Sequence, residues 1–170
     1  MNYLYQYSSK IGNIYLLSDG TYLIGISYDL NRFKNYKEER HSSFNETIRW
    51  LDIYFGGKMP NFMPKLKYET TAFRHEVWDI LMRIPYGKTR TYNDIAKEIA
   101  FKKGIKKMSA QAIGTACRLN DFPIIIPCHR VIGTNNNLLK YTGGSDKKLF
   151  LLNLEGVDIQ KYETRKNNDR

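Results

Sequence analysis

The chain has 170 residues, a mass of 20.0 kDa and an apolar fraction of 42%, which suits a packed core and argues against disorder. No stretch approaches the ~18 apolar residues of a membrane helix, and the N-terminus lacks the features of a signal peptide, so we expect a soluble cytoplasmic protein. The net charge is +10, with +2 in residues 1–70 and +8 in residues 71–170, which favours a nucleic-acid partner over a merely basic protein.

The N-terminal part is predicted to begin with antiparallel strands. Two β-rich runs, 14–17 and 22–27, lie on either side of a polar stretch that contains Asp19-Gly20. An Asp-Gly pair between such runs is typical of a hairpin turn. Residues 31–43 are polar and predict a loop.

A helix is predicted to follow this loop. Apolar side chains recur among polar ones from Asn45 to Phe55, and Gly56-Gly57 marks the expected end of the helix. Pro60 and Pro64 then indicate a connector. We place a domain boundary near residue 70.

The second half opens with a predicted helix over residues 71–84. Its apolar side chains have the spacing of a helix with one buried face: Phe73, Val77, Trp78, Leu81 and Met82. Pro85-Tyr86-Gly87 predicts a turn after it.

Two short helices with a basic connector are predicted next. Thr91 resembles an N-cap, with Asp94 three residues on as in a capping box, and opens a helix over residues 92–100. Ser109 caps a second helix over residues 110–119. The turn between them contains four lysines: Lys102, Lys103, Lys106 and Lys107. A helix-turn-helix fits this pattern, and so does an ordinary helix pair with a solvated lysine loop.

A cysteine and a histidine follow a short apolar run. Ile124 to Ile126 predicts a buried strand or extended segment that ends at Pro127, directly before Cys128 and His129. A thiol has a pKa of ~8.5 and needs a neighbouring base to become a nucleophilic thiolate. Adjacent strand residues face opposite ways, so His129 can assist Cys128 only from a turn or through a water. An inert buried cysteine beside a surface histidine is the alternative.

Neither a metal site nor a disulfide is expected. The two cysteines and three histidines match no zinc-ligand spacing: Cys117, Cys128, His41, His75 and His129. A chain with no export signal rarely forms structural disulfides.

Several sequence blocks together resemble one protein family. Pro127-Cys128-His129-Arg130-Val131 is similar to the active-site signature of the O6-alkylguanine-DNA alkyltransferases, also called methylated-DNA–protein-cysteine methyltransferases. Further blocks resemble other parts of that family in the same order: residues 50–57, 73–78, 85–92, 110–120, 141–144 and 151–156.

The resemblance implies a two-domain fold. Residues 1–70 would form an α/β ribonuclease-H-like domain, a small antiparallel sheet plus a helix. Residues 71–157 would form a mainly α domain with a helix-turn-helix and a short strand that carries Cys128. Residues 158–170 would be a polar tail, frayed from Lys161 onward.

The resemblance also implies a reaction. The protein would bind the minor groove of double-stranded DNA as a monomer and flip an O6-alkylguanine out of the stack. The alkyl group, mainly methyl, would pass irreversibly to Cys128 in a single turnover without a cofactor, and O4-methylthymine would also be a substrate. The location would be the cytoplasm, at the nucleoid, or the nucleus in a eukaryote.

Site roles are carried over to matching residues only. Cys128 would be the nucleophile, His129 its water-linked base and Glu155 the carboxylate that orients the base. Tyr92 would donate to a ring nitrogen of guanine, and Asn120 would tie the hinge between the recognition helix and the active-site segment.

The resemblance further implies two sets of binding residues, while Arg130 is expected to brace the fold. The base pocket would be formed by Trp78, Val131, Tyr141, Thr142 and Gly143. DNA would be bound by Lys106, Lys107, Ser109, Ala110, Gln111, Gly114 and Arg118.

The chain departs from the family pattern at several positions. Gln111 stands where the family usually has an arginine that fills the gap left by the flipped base, and Asp121 stands where a proline is common. The loop over residues 100–108 is longer than expected, and Cys117 is interpreted as a packing residue. Two other function classes remain: a lesion-binding protein without catalysis, whose members lack the cysteine, and a Cys–His hydrolase, which needs an oxyanion hole.

Overall fold

The chain forms two structural units, Met1–Glu69 and Thr70–Arg170. The computed structural model describes residues 1–138 and 141–162. Within those residues, none of the helices has the length and apolar character that crossing a bilayer requires.

A three-stranded antiparallel sheet opens the first unit. Strands β1 (Tyr3–Ser9), β2 (Gly12–Ser18) and β3 (Leu23–Ser27) lie in the order β1-β2-β3. The turn between β2 and β3 is closed by Asp19, whose carboxylate accepts hydrogen bonds from the backbone N–H groups of Thr21 and Tyr22. The predicted Asp-Gly hairpin is therefore confirmed.

Helix α1 (Asn45–Phe55) supplies the other layer of this unit and ends at Gly56, as predicted. It buries Trp50 and Tyr54, whose rings stack at 5.3 Å. The phenol of Tyr7 on β1 donates to Asp52 on α1 at 2.6 Å, which joins the sheet to the helix. The region predicted as loop contains two short 3-10 turns, Leu30–Phe33 and Ser42–Phe44.

The second unit is mainly helical. Its elements are α2 (Ala72–Met82), β4 (Arg90–Thr91), α3 (Tyr92–Lys103), α4 (Ala110–Arg118), β5 (Val131–Ile132) and α5 (Ser145–Leu154). Strands β4 and β5 pair in parallel and were not predicted. The hydroxyls of Thr91 and Ser109 accept from backbone N–H groups three residues on, at 3.0 Å each, so both act as the predicted N-caps.

The basic connector is shorter than predicted. Helix α3 continues past Ala100 to Lys103 and ends at Gly104, whose φ of +64° suits a glycine C-cap. Lys102 and Lys103 therefore lie on the helix, where Lys102 pairs with Glu98 at 3.1 Å and Lys103 pairs with Glu76 at 3.6 Å. Lys106 and Lys107 remain in the turn.

The predicted strand before Cys128 is wrong. Residues 122–126 form a tight turn in which the Ile126 N–H donates to the Phe122 carbonyl at 2.9 Å. Ile124 has a φ of +76°, which a β-branched residue rarely adopts. Pro123 and Pro127 lack the N–H groups that a strand would pair, so the apolar run folds on itself. Cys128–Arg130 then forms a 3-10 turn.

The predicted fraying of the tail is wrong at Tyr162. After α5, Gly156 has a φ of +87° and donates to Asn153 at 3.0 Å, while Val157 donates to Leu152 at 2.9 Å. This Schellman pattern reverses the chain, and Tyr162 is 0% exposed. Residues 163–170 of the predicted tail lie outside the described residues.

Candidate active site

A cavity of about 670 Å³ lies in the second unit, and its volume is within the range of small-molecule sites. The start of α3, the exposed side of α4, the Cys128 turn and two loops contribute to it. Its lining residues are Tyr92, Asn93, Ala110, Gln111, Gly114, Thr115, Cys117, Arg118, Cys128, Gly133, Thr134, Tyr141 and Thr142.

Cys128 lines this cavity while being only 4% exposed. The turn that carries it is fixed by a hydrogen bond from its own N–H to the Ile126 carbonyl at 2.8 Å. Burial raises the pKa of the thiol, and a hydrogen bond with Asn120 and the nearby Lys148 ammonium act against that rise. The thiol therefore needs a base to react near neutral pH.

Asn120 holds the turn that presents Cys128. Its side-chain amide donates to the Ile126 carbonyl at 2.8 Å, and its carbonyl oxygen accepts from the Phe122 N–H at 2.9 Å. The residue follows α4 and is 2% exposed. Asn120 thus links the end of α4 to the Cys128 turn, at the hinge position implied by the resemblance.

His129 and Glu155 form a buried pair, with Nε2 of the imidazole 2.6 Å from Oε2 of the carboxylate. Burial acts to raise the pKa of Glu155, but its bonds with His129 and Arg130 lower it to about 2. The carboxylate is therefore ionised at neutral pH and only accepts hydrogen bonds, so the proton lies on Nε2. Burial lowers the pKa of His129, against the opposing effect of Glu155, and the imidazole is neutral at pH 7.

Arg130 braces this pair, as expected. Its Nε donates to Glu155 Oε1 at 2.8 Å, and its Nη1 donates to the Ile84 carbonyl at 2.7 Å. The side chain is buried and does not line the cavity. The guanidinium therefore neutralises the buried carboxylate and ties it to the turn that follows α2.

Gly87 approaches Glu155 closely from another direction. Its N–H donates to Glu155 Oε1 at 3.0 Å, and its φ is +78°. A Cβ at this position would lie 2.8 Å from the backbone oxygen of Glu155. Both the backbone conformation and the space available therefore require glycine here.

Tyr92 lines the cavity at the first residue of α3 and is 8% exposed. Burial, with smaller contributions from Cys117 and Cys128, raises the pKa of its phenol well above the usual 10. The phenol is thus a hydrogen-bond donor at all physiological pH values. Gly114 on α4 lies against this ring, since a Cβ there would be 3.8 Å from Tyr92 Cε1.

Helix α4 contributes one wall of the cavity. Four of the predicted DNA-binding residues line it: Ala110, Gln111, Gly114 and Arg118. Ser109 caps the helix, and Lys106 and Lys107 are exposed in the turn just before it. The structure therefore brings the predicted recognition helix and Cys128 to the same cavity.

The predicted base-pocket residues divide into two groups. Tyr141 and Thr142 line the cavity, and the Tyr141 ring lies edge-on to His129 at 6.4 Å. Trp78 instead lies beneath α4 and donates from its indole to the Ala116 carbonyl at 2.9 Å. Val131 and Gly143 are also outside the lining, and the Val131 carbonyl is occupied by Lys148.

Sequence reasoning missed Lys148, which is 0% exposed. Its ammonium donates to the carbonyls of Val131 at 2.6 Å and Leu138 at 2.8 Å, and burial lowers its pKa to about 8. A signal was present, because Lys148 precedes the buried Leu151 and Leu152 by three and four positions and so shares the apolar face of α5. Other lining residues missed are Asn93, Thr115, Cys117, Gly133 and Thr134.

Cys117 lines the same cavity as Cys128 and is 6% exposed. Burial, together with the neighbouring Cys128, raises the pKa of its thiol.

In the described part of the chain, no group of three or more His, Cys, Asp or Glu side chains is placed to hold a metal ion.

Sequence models of one family match both units. The 6-O-methylguanine DNA methyltransferase DNA-binding domain matches residues 72–157, and the ribonuclease-like domain of the same family matches residues 2–68. Among curated proteins, the methylated-DNA–protein-cysteine methyltransferase of Methanosarcina acetivorans is 42% identical over 158 residues, covering 88% of this chain and 96% of the relative. The protein of that name from Mycobacterium leprae is 37% identical, and the match covers 86% of this chain and 88% of the relative.

Solved structures agree with these matches. The O6-methylguanine methyltransferase of Mycobacterium tuberculosis superposes with a TM-score of 0.77 at 34% identity, covering 91% of this chain and 93% of that one. The structure of OGT from the same organism in complex with DNA superposes with a TM-score of 0.76 at 32% identity, covering 90% of this chain and 92% of that one. The two-domain fold with a ribonuclease-like first domain is therefore confirmed. The chain belongs to the 6-O-methylguanine DNA methyltransferase family, the DNA-binding suicide alkyltransferases that repair methylated DNA by accepting the alkyl group on a cysteine.

Proposed function

We propose that Cys128 is the acceptor cysteine, and that the chain takes the alkyl group from O6 of a guanine flipped out of double-stranded DNA. The observation that carries this assignment is that Cys128 lines a cavity large enough for a nucleobase, which residues of helix α4 also line. The same thiol lies next in sequence to the buried His129–Glu155 pair. The proposed nucleophile thus lines the same cavity as the helix proposed to face DNA, and the proposed base follows the nucleophile in sequence.

Helix α4 is the element that enters the minor groove. Its small residues Ala110 and Gly114 allow close approach to the groove, while Lys106 and Lys107 lie at the N-terminal side, where they contact phosphates. Phosphate contacts carry no sequence information, which suits a protein that must search all sequences. Gln111 occupies the gap left by the flipped base.

The flipped guanine binds in the cavity between Tyr92 and the loop residues Tyr141 and Thr142. Extruding a base costs a few kcal/mol, which contacts in the pocket and in the groove offset. The phenol of Tyr92 donates a hydrogen bond to a ring nitrogen of the base. That bond offsets the negative charge that guanine acquires as the O6–carbon bond breaks.

His129 and Glu155 generate the attacking thiolate. Because Glu155 keeps the proton on Nε2, Nδ1 is the basic nitrogen, and it accepts the Cys128 proton through a water. The thiolate then attacks the alkyl carbon in line with O6, so that a sulfur–carbon bond forms as the oxygen–carbon bond breaks. The thioether is stable, and each molecule therefore acts once.

Substrates are mainly O6-methylguanine and also O4-methylthymine. The protein acts as a monomer wherever the cell keeps its DNA, in the cytoplasm at the nucleoid or in a nucleus. No cofactor takes part, because the thiol itself is the acceptor.

One experiment tests the acceptor directly. Wild type, Cys128→Ser and Cys117→Ser are incubated with duplex DNA that carries O6-methylguanine, and the intact proteins and their peptides are weighed. Wild type and Cys117→Ser should gain a single methyl group on the Cys128 peptide, and Cys128→Ser should gain none. Repair by Cys128→Ser, methylation of Cys117 alone, or continuous turnover would overturn the proposal. Binding of the lesion by wild type without any methyl gain would indicate the non-catalytic class.

A further inference from the structure

The last described residues fold back onto the core of the second unit. The carboxylate of Asp158 accepts from the Gln160 N–H at 3.1 Å and starts a final helical turn that carries Tyr162. Tyr162 is 0% exposed and belongs to an apolar cluster formed by Ile132, Leu138, Leu149, Leu152 and Tyr162, with Val157 and Ile159 packed against it. The family's DNA-binding domain matches only as far as residue 157, so Tyr162 lies beyond it.

This cluster contains both ends of a segment that borders the cavity. Gly133 and Thr134 line the cavity, and they lie between the buried side chains of Ile132 and Leu138. The Gly133 N–H donates to the Asn137 carbonyl at 2.6 Å, so the segment is a closed turn whose two ends stay together. The position of this cavity wall therefore depends on how tightly Ile132 and Leu138 are held.

Two groups hold those ends from different sides. The Lys148 ammonium bridges the carbonyls of Val131 and Leu138, as described above. The ring of Tyr162 fills the apolar side, in the cluster with Ile132 and Leu138. Removal of the ring leaves a cavity beneath the segment, into which tightly packed neighbours relax.

We propose that Tyr162 is a positioning residue for alkyl transfer: its ring holds residues 131–138 so that Gly133 and Thr134 close around the flipped base beside Cys128. The inference rests on the proposed function and adds to it a residue outside the matched domain. Among the described residues, the buried hydroxyl of Tyr162 has no hydrogen-bond partner. The ring, and not the hydroxyl, is therefore the part that positions the segment.

The test compares Tyr162→Ala and Tyr162→Phe in the full chain with a control, Ile80→Ala. Ile80 is 1% exposed on α2 and belongs to neither the cluster nor the cavity lining, so its truncation weakens the fold without removing support from the segment. Two quantities are measured at a temperature where circular dichroism shows every variant folded. They are the single-turnover rate constant at saturating methylated duplex and the affinity for unmethylated duplex.

Tyr162→Ala should lower the saturating rate constant by about 10- to 100-fold, the effect expected of a misplaced pocket, and leave the affinity for unmethylated duplex unchanged. Tyr162→Phe and Ile80→Ala should keep the wild-type rate constant. If the alanine variant does not fold, Tyr162→Leu replaces it, with a smaller loss in the same direction. A wild-type rate constant in Tyr162→Ala or Tyr162→Leu, or an equal loss in Ile80→Ala, overturns this inference alone. Failure of wild type to accept a methyl group overturns the proposed function instead.

Discussion

Replacement of Glu155 by glutamine should destabilise the second unit strongly, because it removes a charge to which two buried side chains, His129 and Arg130, are matched. Glutamine keeps the size of the side chain but leaves the Arg130 guanidinium, 3% exposed, without its anion. Loss of one partner from a buried ion pair costs about 3–5 kcal/mol.

The pKa of Glu155 gives an independent measure of how much the ionised carboxylate stabilises the fold. It is lowered from 4.5 to about 2, and a pKa difference of one corresponds to about 1.4 kcal/mol, so ionisation contributes roughly 3 kcal/mol at neutral pH. The folded pKa lies below the unfolded one, so this stability is present above pH 4.5 and is lost as the pH falls towards 2. The difference between wild type and Glu155→Gln should therefore shrink over that interval.

Glu98→Gln is the matched control. Glu98 contacts Arg90 at 2.9 Å and Lys102 at 3.1 Å, but its side chain is 29% exposed, and the side chains of both partners are more exposed than that. Ion pairs of this kind contribute roughly 0–1 kcal/mol. The same chemical change should thus have a small effect at the surface and a large one at Glu155.

Urea unfolding measures both variants in a Trp50→Phe background, where Trp78 alone reports on the second unit. Glu155→Gln should lower the free energy of unfolding by about 3 kcal/mol at pH 7 and by less at pH 4. Alkyl transfer should also slow by roughly 100-fold or more, since the base loses the carboxylate that orients it. Equal stability losses for the two glutamine variants, or a loss at Glu155 that does not change with pH, would refute the reasoning.

Three other substitutions test further parts of the site. Asn120→Ala removes the hydrogen bonds that the side chain makes with the Ile126 carbonyl and the Phe122 N–H, so the free energy of unfolding should fall by about 1–3 kcal/mol in urea titrations, and a smaller loss than this would mean that water replaces the amide. Gly87→Ala should slow alkyl transfer and lower stability by more than Gly57→Ala does, because both have positive φ but only at Gly87 would a Cβ meet a neighbour, at 2.8 Å. Gln111→Arg should speed repair of duplex DNA and, through its added positive charge, steepen the salt dependence of binding, and an unchanged or slower rate would count against a gap-filling role at this position.

The elements that the sequence predicted well are those fixed by nearby residues. Thr91 and Ser109 cap helices through bonds to residues three positions on, and Gly56 ends α1, so neighbouring residues determine each boundary. The end of α3 was missed because the cap is Gly104 and not the earlier polar stretch. The motif residues Cys128 and Tyr92 line one cavity, and the roles that the family resemblance gives them stay predictions.

The errors arose where distant partners decide the structure. An apolar run from Ile124 to Ile126 favours a strand, but the side chain of Asn120 takes over hydrogen bonds that a strand partner would supply. Val131 was assigned to the pocket, yet its backbone is engaged by Lys148 and by pairing with Arg90. Tyr162 was placed in a polar tail because composition does not reveal a single ring that returns to the core.

The crowding around Glu155 restricts how this protein can change. Its carboxylate receives hydrogen bonds from the Gly87 backbone and from Arg130, and it contacts His129, so two separate stretches of chain meet at this one side chain. A substitution at any of these positions leaves the others mismatched, which makes single-step evolution through this cluster unfavourable. Laboratory efforts to alter substrate range should therefore vary the α4 side of the cavity, where Gln111, Thr115 and Arg118 are free of that constraint.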